Sequence, residues 1–423
     1  MGQFLETERP RQAAFKSRSL YFSEFARADG IYRGKYRPFC LPRENAEENL
    51  FEEIRTVAPR YFQKQEIKWH HGRDNKPSNH LCDSQVCCVN FLFPFADKPH
   101  ALIELLRPVF PTILRVLPME KEFPGQFISF EWIGKENYLQ ERIGRGGKRT
   151  RGANFTSADA AVMFEREDGM RQIALIEWKY TESYGSTPLK IAPSGTDRTK
   201  IYKPLYEQED CPLNESLLRD FADLFYEPFY QLMRQQLLAH EMERAHELGA
   251  TLVSVLHIAP WHNQDFRRVT SPNLCELGVS AMDVWKRLVQ APDRFTSVST
   301  EELFGRLAVE HLPQLSAWWG YINQRYSWLP HRTKCSICNV ELDDPEFASN
   351  YPNFVCRECD ARALNGKGEP PHHDSMHDNG DNPVFIDDIK CWRRYRFGGY
   401  ITMRDKFDCA DILEFYARYK EVF

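Results

Sequence analysis

Two carboxylates and a lysine, Asp159, Glu177 and Lys179, are the side chains of this sequence whose types and spacing best suit hydrolysis. Side chains alternate along a β-strand, so Glu177 and Lys179 share one face of their predicted strand. Asp159 lies in the preceding predicted strand, and pairing of the two strands would bring the carboxylates together. A divalent cation held between them would polarise a phosphate oxygen and lower the pKa of bound water. With Lys179 orienting or deprotonating that water, the set suits cleavage of a phosphodiester bond.

The same three residues have an alternative interpretation, a structural cluster of ion pairs. An acidic residue two positions before a lysine carries little information alone, because the pattern recurs at residues 66–68, 74–76 and 388–390. The context sets the triplet at 177–179 apart, since it lies in an apolar, strand-like run. Charged groups buried in such a run are costly unless they are paired or bind a cation.

The elements that must position these residues are predicted from periodicity. Strands are predicted over 127–133, 158–164, 172–180 and 251–259. Helices are predicted over 46–57, over 81–92 with Ser78 as its N-cap, over 101–117 with a break at Pro108 and Pro111, and over 216–247 with a kink at Pro228. The order across residues 101–260 is helix, three strands, helix and strand, which predicts an α/β fold.

This order, with Asp159 in one strand and Glu177-Trp178-Lys179 in the next, resembles the PD-(D/E)XK nuclease superfamily, the restriction-endonuclease-like fold. The block 156–182 is similar to a bacterial branch of that superfamily. The resemblance implies a mixed sheet flanked by helices, with Asp159 and Glu177 as ligands of Mg²⁺ (or Mn²⁺) and Lys179 as the catalytic lysine. One departure is Ala158-Asp159, where the superfamily usually has Pro-Asp.

The resemblance also implies a Gln or Tyr on the helix that follows the Glu-x-Lys strand, facing the active site. Gln231, Arg234 and Gln235 share one face of the predicted helix. Gln235 is the preferred candidate, and a solvated helix face is the alternative.

A further carboxylate often comes from the element before the Asp strand in this superfamily. Glu104, Glu131 and Glu141 all qualify by position. Glu141 is the preferred candidate for an assisting catalytic group, and a surface role is its alternative.

A basic, glycine-rich segment lies just ahead of Asp159. The chain as a whole has a net charge of −5, so any nucleic acid must be met by a local positive patch. The segment predicts phosphate-backbone contacts by Arg145, Lys148, Arg149 and Arg151. A solvated loop without a ligand is the alternative.

Four cysteines form two Cys-x-x-Cys pairs, Cys335 with Cys338 and Cys356 with Cys359. Their spacing is typical of Cys₄ zinc sites. The second pair runs into a predicted helix start, which resembles a treble clef. Because thiolates fill all four positions, the predicted Zn²⁺ is structural. Disulfides or idle thiols are the alternative.

The 423 residues predict four segments. These are an N-terminal helical elaboration over 1–100, a nuclease core over 101–262, a helical extension over 263–330 and a zinc-binding domain over 331–423. No apolar run is long enough to span a bilayer and no signal peptide is evident, so a cytoplasmic location without a membrane partner is expected.

The leading functional interpretation is a Mg²⁺-dependent nuclease with DNA as its leading substrate, and the resemblance implies a role in restriction of foreign DNA. The alternative is a non-catalytic nucleic-acid-binding or adaptor protein built on a nuclease-like scaffold. A homodimer, or a partner protein bound through the C-terminal domain, is also expected.

Overall fold

A computed structural model describes residues 2–141, 149–153, 155–305, 307–329, 334–343, 347–348, 351, 353–374, 379–396 and 399–422. The chain divides by compactness into two units. The first unit contains Met1–Leu303 and Leu307–Ile322, and the second contains Phe304–Arg306 and Asn323–Phe423. The functional division into four segments stays a prediction.

The first unit is organised around a six-stranded mixed sheet. After a small hairpin of β1 (Gly30–Tyr32) and β2 (Lys35–Arg37), the chain forms the strands of this sheet. They are β3 (Ile113–Leu117), β4 (Ser129–Trp132), β5 (Ala158–Arg166), β6 (Arg171–Trp178), β7 (Leu252–Ala259) and β8 (Phe295–Ser299). The order is β3-β5-β6-β7-β8, with β4 also paired to β5.

The pairing is antiparallel between β5 and each of β3, β4 and β6, and it is parallel from β6 to β7 and from β7 to β8. A tight turn joins β5 to β6, where Gly169 adopts the left-handed φ of +78° that glycine accommodates without steric cost. Strands β6 and β7 are buried along nearly their whole length, as expected for central strands covered on both faces.

Helices flank the sheet, which confirms the predicted α/β class with a mixed sheet. They are α1 (Gln3–Arg18), α2 (Val57–Lys64), α3 (Ser84–Leu92), α4 (Pro99–Leu106), α5 (Thr199–Tyr206), α6 (Phe229–Arg244), α7 (Ala281–Leu288), α8 (Thr300–Gly305) and α9 (Ser316–Arg325). Apolar side chains of α6 and α7 pack with Leu175 of β6 and Val255 of β7 in the main core. On the opposite face, Phe91 of α3 packs on Trp178 with ring centroids 5.0 Å apart.

Several predicted helices are wrong or shorter than expected. Residues 46–57 form 3₁₀ turns at Arg43–Asn49 and Glu52–Ile54 instead of an α-helix. The predicted helix 101–117 ends at Leu106, just before its expected break at Pro108, and residues 113–117 form strand β3 instead of helix. Pro228 is the N-cap of α6 and does not kink it, because the residues before it form 3₁₀ turns. Asp83, not Ser78, caps α3 by accepting a hydrogen bond from the Val86 amide at 3.0 Å.

The elements of the second unit are α10 (Arg357–Asp360), β9 (His373–Asp374), β10 (Asn379–Gly380), β11 (Val384–Ile386), β12 (Ile389–Arg396), β13 (Gly399–Arg404) and α11 (Ile412–Val422). Three of the strands form an antiparallel sheet in the order β11-β12-β13. A small core joins the cysteine pairs to Val384 and Ile386 of β11. Among the helices described in either unit, none is long and apolar enough to cross a membrane.

Candidate active site

Polar side chains form one row across neighbouring strands, on the sheet face that α6 covers. Asp159 lies one residue beyond the last recorded pair of β5 and β6, so it faces Glu177. Glu177 pairs in register with His257 of β7, and His257 pairs with Ser297 of β8. Residues directly opposed on paired strands point to the same face. The register therefore brings Asp159 and Glu177 together, as their strand positions predict.

Glu177 is held from within the protein on both carboxylate oxygens. Lys179 Nζ donates to Glu177 Oε1 at 2.5 Å, and Gln235 Nε2 of α6 donates to Glu177 Oε2 at 2.8 Å. The same Gln235 nitrogen donates to the Ser157 carbonyl at 2.6 Å, which ties α6 to the start of β5. Glu177, Lys179 and Gln235 are all buried. The structure thus brings the predicted Gln235 into direct contact with the predicted carboxylate.

Asp159 is bound on one side and open on the other. Its Oδ2 accepts a hydrogen bond from the Trp178 amide at 2.7 Å. Its side chain also lines a pocket of about 200 Å³. The other lining residues are His70, Gly152, Ala153, Phe155, Thr156, Ser157, Gln231, Arg234 and Gln235. A ligand in this pocket would reach Asp159 without displacing the protein's own hydrogen bonds.

Burial and mutual repulsion shape the charge of this cluster. Burial raises the pKa of Asp159 well above its usual range, and the Glu177 carboxylate raises it further. Burial also raises the pKa of Glu177, although Lys179 opposes that shift. For Lys179, burial lowers the pKa, but Glu177 together with the other acidic neighbours raises it overall. Lys179 alone therefore does not balance the two carboxylates, and a cation would relieve their repulsion.

The donor set fits a hard cation that takes few protein ligands. Gln235 Oε1 is buried and, among the described residues, accepts no hydrogen bond. Mg²⁺ is usually bound by one or two carboxylates and keeps water or substrate phosphate in its other positions. Asp159 and Glu177 match that requirement. They do not belong to a closed cage, because the only group of three or more His, Cys, Asp or Glu ligand atoms within 4.8 Å of one another in the described chain is a cysteine set.

Glu131 is a carboxylate of this site that sequence reasoning considered but did not prefer. The residues on either side of Glu131 in β4 pair with the residues on either side of Asp159 in β5. The φ of Glu131 is +50°, which lies in the left-handed region. Gln85 Nε2 and Ser157 Oγ donate to its two oxygens at 2.6 and 2.8 Å. Its charge contributes to the raised pKa of both Asp159 and Glu177. Glu131 is therefore the third carboxylate beside the pair.

Glu141, which was preferred as the assisting group, has a different environment. It accepts hydrogen bonds from the amide and hydroxyl of Thr156 at 2.7 and 2.6 Å and from the Tyr202 hydroxyl at 2.8 Å. Arg234 lies 3.7 Å away and also donates to the Thr156 hydroxyl. These contacts fasten the segment that leads into β5. The geometry favours Glu131 over Glu141 as the assisting carboxylate, and the role of Glu141 stays a prediction.

His70 lies at the same pocket, and no spacing pattern in the sequence points to it. Its Nε2 is 3.3 Å from Glu131 Oε1, and its side chain lines the pocket with Asp159. Burial lowers the pKa of His70, but the hydrogen bond with Glu131 and the charges of the nearby carboxylates together raise the pKa to about 9. The imidazole is therefore a positive group at the pocket near neutral pH.

The predicted phosphate contacts are not supported for the two arginines that the structure describes. Arg151 is mostly buried and its guanidinium contacts Glu120 and the Phe130 carbonyl. Arg149 donates to main-chain carbonyls of residues 133–135. Both side chains serve to hold the chain around β4. The other predicted contacts, Arg145 and Lys148, lie outside the described residues.

The four cysteines of the second unit converge as predicted. One ligand atom from each of Cys335, Cys338, Cys356 and Cys359 lies within 4.8 Å of the others, and the sulfurs of Cys338 and Cys356 are 3.7 Å apart. A tetrahedral zinc with Zn–S bonds of about 2.3 Å requires sulfurs about 3.8 Å apart. The set could therefore hold a structural zinc.

Local backbone groups favour a thiolate at Cys338, whereas burial raises the pKa of Cys356 and Cys359 in the absence of a metal. A backbone hydrogen bond from Val340 lowers the pKa of Cys338 to about 7. Cys335 Sγ accepts hydrogen bonds from the amides of Ile337 and Cys356 at 3.4 and 3.2 Å. The helix α10 starts immediately after Cys356, as expected for the second knuckle. All four positions are filled by sulfur, so no coordination site is left for a substrate.

Comparison with known proteins gives one family. A family model described as "REase-ARP: Restriction Endonuclease associating with ARP" matches residues 9–327, which is most of the chain. The match contains the whole six-stranded sheet and ends before the cysteine pairs. No curated protein and no solved structure matches the chain.

Proposed function

The chain belongs to the family described as restriction endonucleases associating with ARP, and from this premise we propose that it is a Mg²⁺-dependent nuclease that hydrolyses phosphodiester bonds of DNA. The family supports a nuclease-like, defence-related role. The proposal goes further in naming the chemistry, the metal and the residues. The observation that carries it is the convergence of Asp159, Glu177 and Lys179 on one face of the sheet, next to a pocket.

We assign the metal to Asp159 and Glu177. Mg²⁺ (or Mn²⁺), when bound, would polarise a phosphate oxygen and generate a nucleophilic hydroxide from water. The Lys179 ammonium, 2.5 Å from Glu177, would hold that water and stabilise the negative charge that develops on the phosphate. Gln235 would keep the Glu177 carboxylate in its orientation from the helix side. Glu131 would add negative charge that favours cation binding.

The pocket beside Asp159 would receive the scissile phosphate. His70 and Arg234 both line it, and each provides positive charge for an anionic substrate. The guanidinium of Arg234 is stacked 5.3 Å from the Tyr230 ring and donates to Thr156, so its position is fixed before substrate arrives. A preorganised cation of this kind lowers the cost of binding phosphate.

The family description names ARP as an associating component. We propose that this chain likewise acts with an ARP partner. Cutting both strands of a duplex would in addition require two active sites, which a homodimer would supply.

The proposal is tested by incubating plasmid DNA with the protein in Mg²⁺, Mn²⁺, Ca²⁺ or EDTA. Cleavage is expected with Mg²⁺ and Mn²⁺, and it should be lost in Asp159→Asn and Lys179→Met. Asp168→Asn is the matched control, because Asp168 lies in the turn at the other end of the same hairpin. Cleavage that persists in both site variants would remove this cluster from the mechanism. Nucleic-acid binding without cleavage under any metal would favour the non-catalytic adaptor.

A further inference from the structure

A second pocket of the first unit lies on the loop that follows β7, at the same edge of the sheet as Lys179. We propose that it binds a nucleobase of the substrate strand, which stacks on Trp261. This inference rests on the proposed nuclease function, because it names how that site would take hold of its substrate beyond the scissile phosphate.

The loop is fastened to the residues that follow the catalytic strand. The Lys179 amide donates to the Ile258 carbonyl at 2.8 Å, so β6 and β7 end side by side. The buried side chain of Asn263 donates to the carbonyls of Tyr180 and Glu182 at 2.9 and 3.0 Å. The loop therefore has a fixed position relative to Lys179. A ligand bound on it would be held in register with the active site.

Trp261 is exposed although its backbone is rigidly held. Its amide lies 3.0 and 2.9 Å from the two carboxylate oxygens of the buried Glu301. The residue is nevertheless 44% exposed, and the Arg267 guanidinium lies 5.3 Å from the ring. An exposed tryptophan on a fixed loop is a stacking platform that costs little conformational entropy to use.

The pocket beside the Trp261 ring has a volume of about 540 Å³. That volume falls within the roughly 300–1,000 Å³ typical of small-molecule sites. The aromatic ring and the apolar side chains of Val279 and Met282 line it together with polar groups that include both donors and acceptors: Gln264, Arg267, Ser280, Asp283 and Ser297. A planar aromatic ring beside hydrogen-bonding side chains is the combination that recognises the face and the edge of an unstacked base. Arg268, whose side chain is 73% exposed, lines the same pocket and would contact the phosphate next to the bound base.

The position of the pocket also suits a base near the scissile bond. Ser297 lines the pocket and contacts His257 Nδ1 at 3.1 Å, and His257 is the in-register neighbour of Glu177. Two strand spacings amount to about 10 Å. A stacked DNA strand covers that distance in about three nucleotides at 3.4 Å each. The base would thus belong to the same strand, a few nucleotides from the cleaved bond.

A protein partner is the competing occupant for an exposed tryptophan. A protein hot spot is usually an aromatic anchor surrounded by apolar contacts. Val279 and Met282 also line this pocket, but the charged side chains of Arg267, Arg268 and Asp283 lie among them. These properties favour a base with its phosphate over an apolar protein segment.

The test uses the full chain carrying Asp159→Asn, so that binding is measured without hydrolysis. Oligonucleotides with 2-aminopurine at successive positions are added in Mg²⁺, and both fluorescence and affinity are measured. One position should show a fluorescence change, which Trp261→Ala abolishes and Trp261→Phe retains. The affinity of Trp261→Ala should fall about tenfold, within the range for loss of one stacked base. Phe25→Ala removes another exposed aromatic side chain and is the control.

Two further measurements separate the possible outcomes. Equal affinity and equal fluorescence profiles for Trp261→Ala and Phe25→Ala would overturn the inference, and so would a Trp261→Ala variant that loses only the ARP partner. Arg268→Ala changes an exposed side chain and should reduce the affinity for the oligonucleotide more at low salt than at high salt. If the parental chain never cleaves DNA while the position-specific signal persists, the proposed hydrolysis fails and the base pocket stands. A parental chain that binds no oligonucleotide contradicts both.

Discussion

The two candidate metal sites of this protein are built in opposite ways. In the first unit, Asp159 and Glu177 come from neighbouring strands, and they are held in place by Lys179, by the Trp178 amide and by Gln235 of α6. In the second unit, four cysteines from two short knuckles converge around a small core. The pairing of strands forms the first site without a metal, whereas in the second site the metal holds the ligands together.

The difference predicts a catalytic role for the first site and a stabilising role for the second. Two carboxylates leave most positions of a cation open to water and phosphate, while four thiolates leave none. Removal of the cation from the first site should therefore change activity and not folding. Removal of zinc from the second should change folding. Each of the following substitutions is a test of that contrast.

The largest effect is expected for Cys356→Ser, because structural zinc contributes on the order of 10 kcal/mol to the folding of small zinc domains. The variant should lose bound zinc, and the second unit should become sensitive to protease. Cys391→Ala is the control, since Cys391 is buried in the same unit and its sulfur donates to the Ile389 carbonyl instead. Zinc content and limited proteolysis measure the outcome. A variant that keeps its zinc and its protease resistance would contradict the contrast.

Asp159→Asn should reduce the rate of DNA cleavage by a factor of about 1,000 or more, which corresponds to about 4 kcal/mol of transition-state stabilisation. Its thermal unfolding temperature should stay the same or rise. The reason is that burial and the Glu177 charge raise the pKa of Asp159, so the ionised carboxylate is unfavourable in the folded state without a cation. Cleavage rates and calorimetry are measured on the same preparation. A large drop in the unfolding temperature would show that the site is structural.

Gln235→Ala should reduce kcat by about 10- to 100-fold, or roughly 1.4 to 2.7 kcal/mol, because Glu177 loses the donor that orients it. Gln235→Glu should be at least as harmful, since it adds a negative charge beside Glu177. A positioning role predicts that KM for DNA changes little while kcat falls. Equal changes in both constants would assign Gln235 to substrate binding instead.

The smallest effects should separate Glu131 from Glu141. Glu141→Gln should lower the free energy of unfolding by about 1–2 kcal/mol, since the new amide faces donors that the carboxylate satisfied. Glu131→Gln should chiefly raise the Mg²⁺ concentration needed for cleavage. Unfolding curves and Mg²⁺ titrations distinguish the two. The reverse pattern would restore the assignment made from sequence.

Local patterns predicted the parts of both sites that depend on short spacing. The cysteine pairs were recognisable because each pair spans one knuckle. Asp159 and Glu177 were recognisable because β5 and β6 form a hairpin whose turn residues are visible in the sequence. Gln235 was chosen through a family resemblance and a helical face, and the structure places it on Glu177.

The features that the sequence patterns did not predict depend on contacts between residues that are far apart in the chain. Glu131 joins the site through the register of β4 against β5 and a left-handed backbone, and neither leaves a periodic signal. Residues 113–117 have helix-compatible apolar spacing but pair with β5, so tertiary context overrides local preference. Strand β8 was missed because Phe295–Ser299 is short and mostly half-buried. No pattern in the sequence indicated that Arg151 donates internal hydrogen bonds to the carbonyls of Glu131 and Phe130, because these contacts join residues far apart in the chain.

The hairpin of β5 and β6 has a consequence for how the chain tolerates changes in length. Because side chains alternate, inserting or deleting one residue within either strand would move the side chains of the rest of that strand to the opposite face of the sheet. Extra residues at the exposed turn around Gly169 would leave the pairing beyond it intact. Insertions should therefore be accepted at that turn and rejected between Ala158 and Arg166 or between Arg171 and Trp178, where a single added residue would send one acidic group to the far side of the sheet.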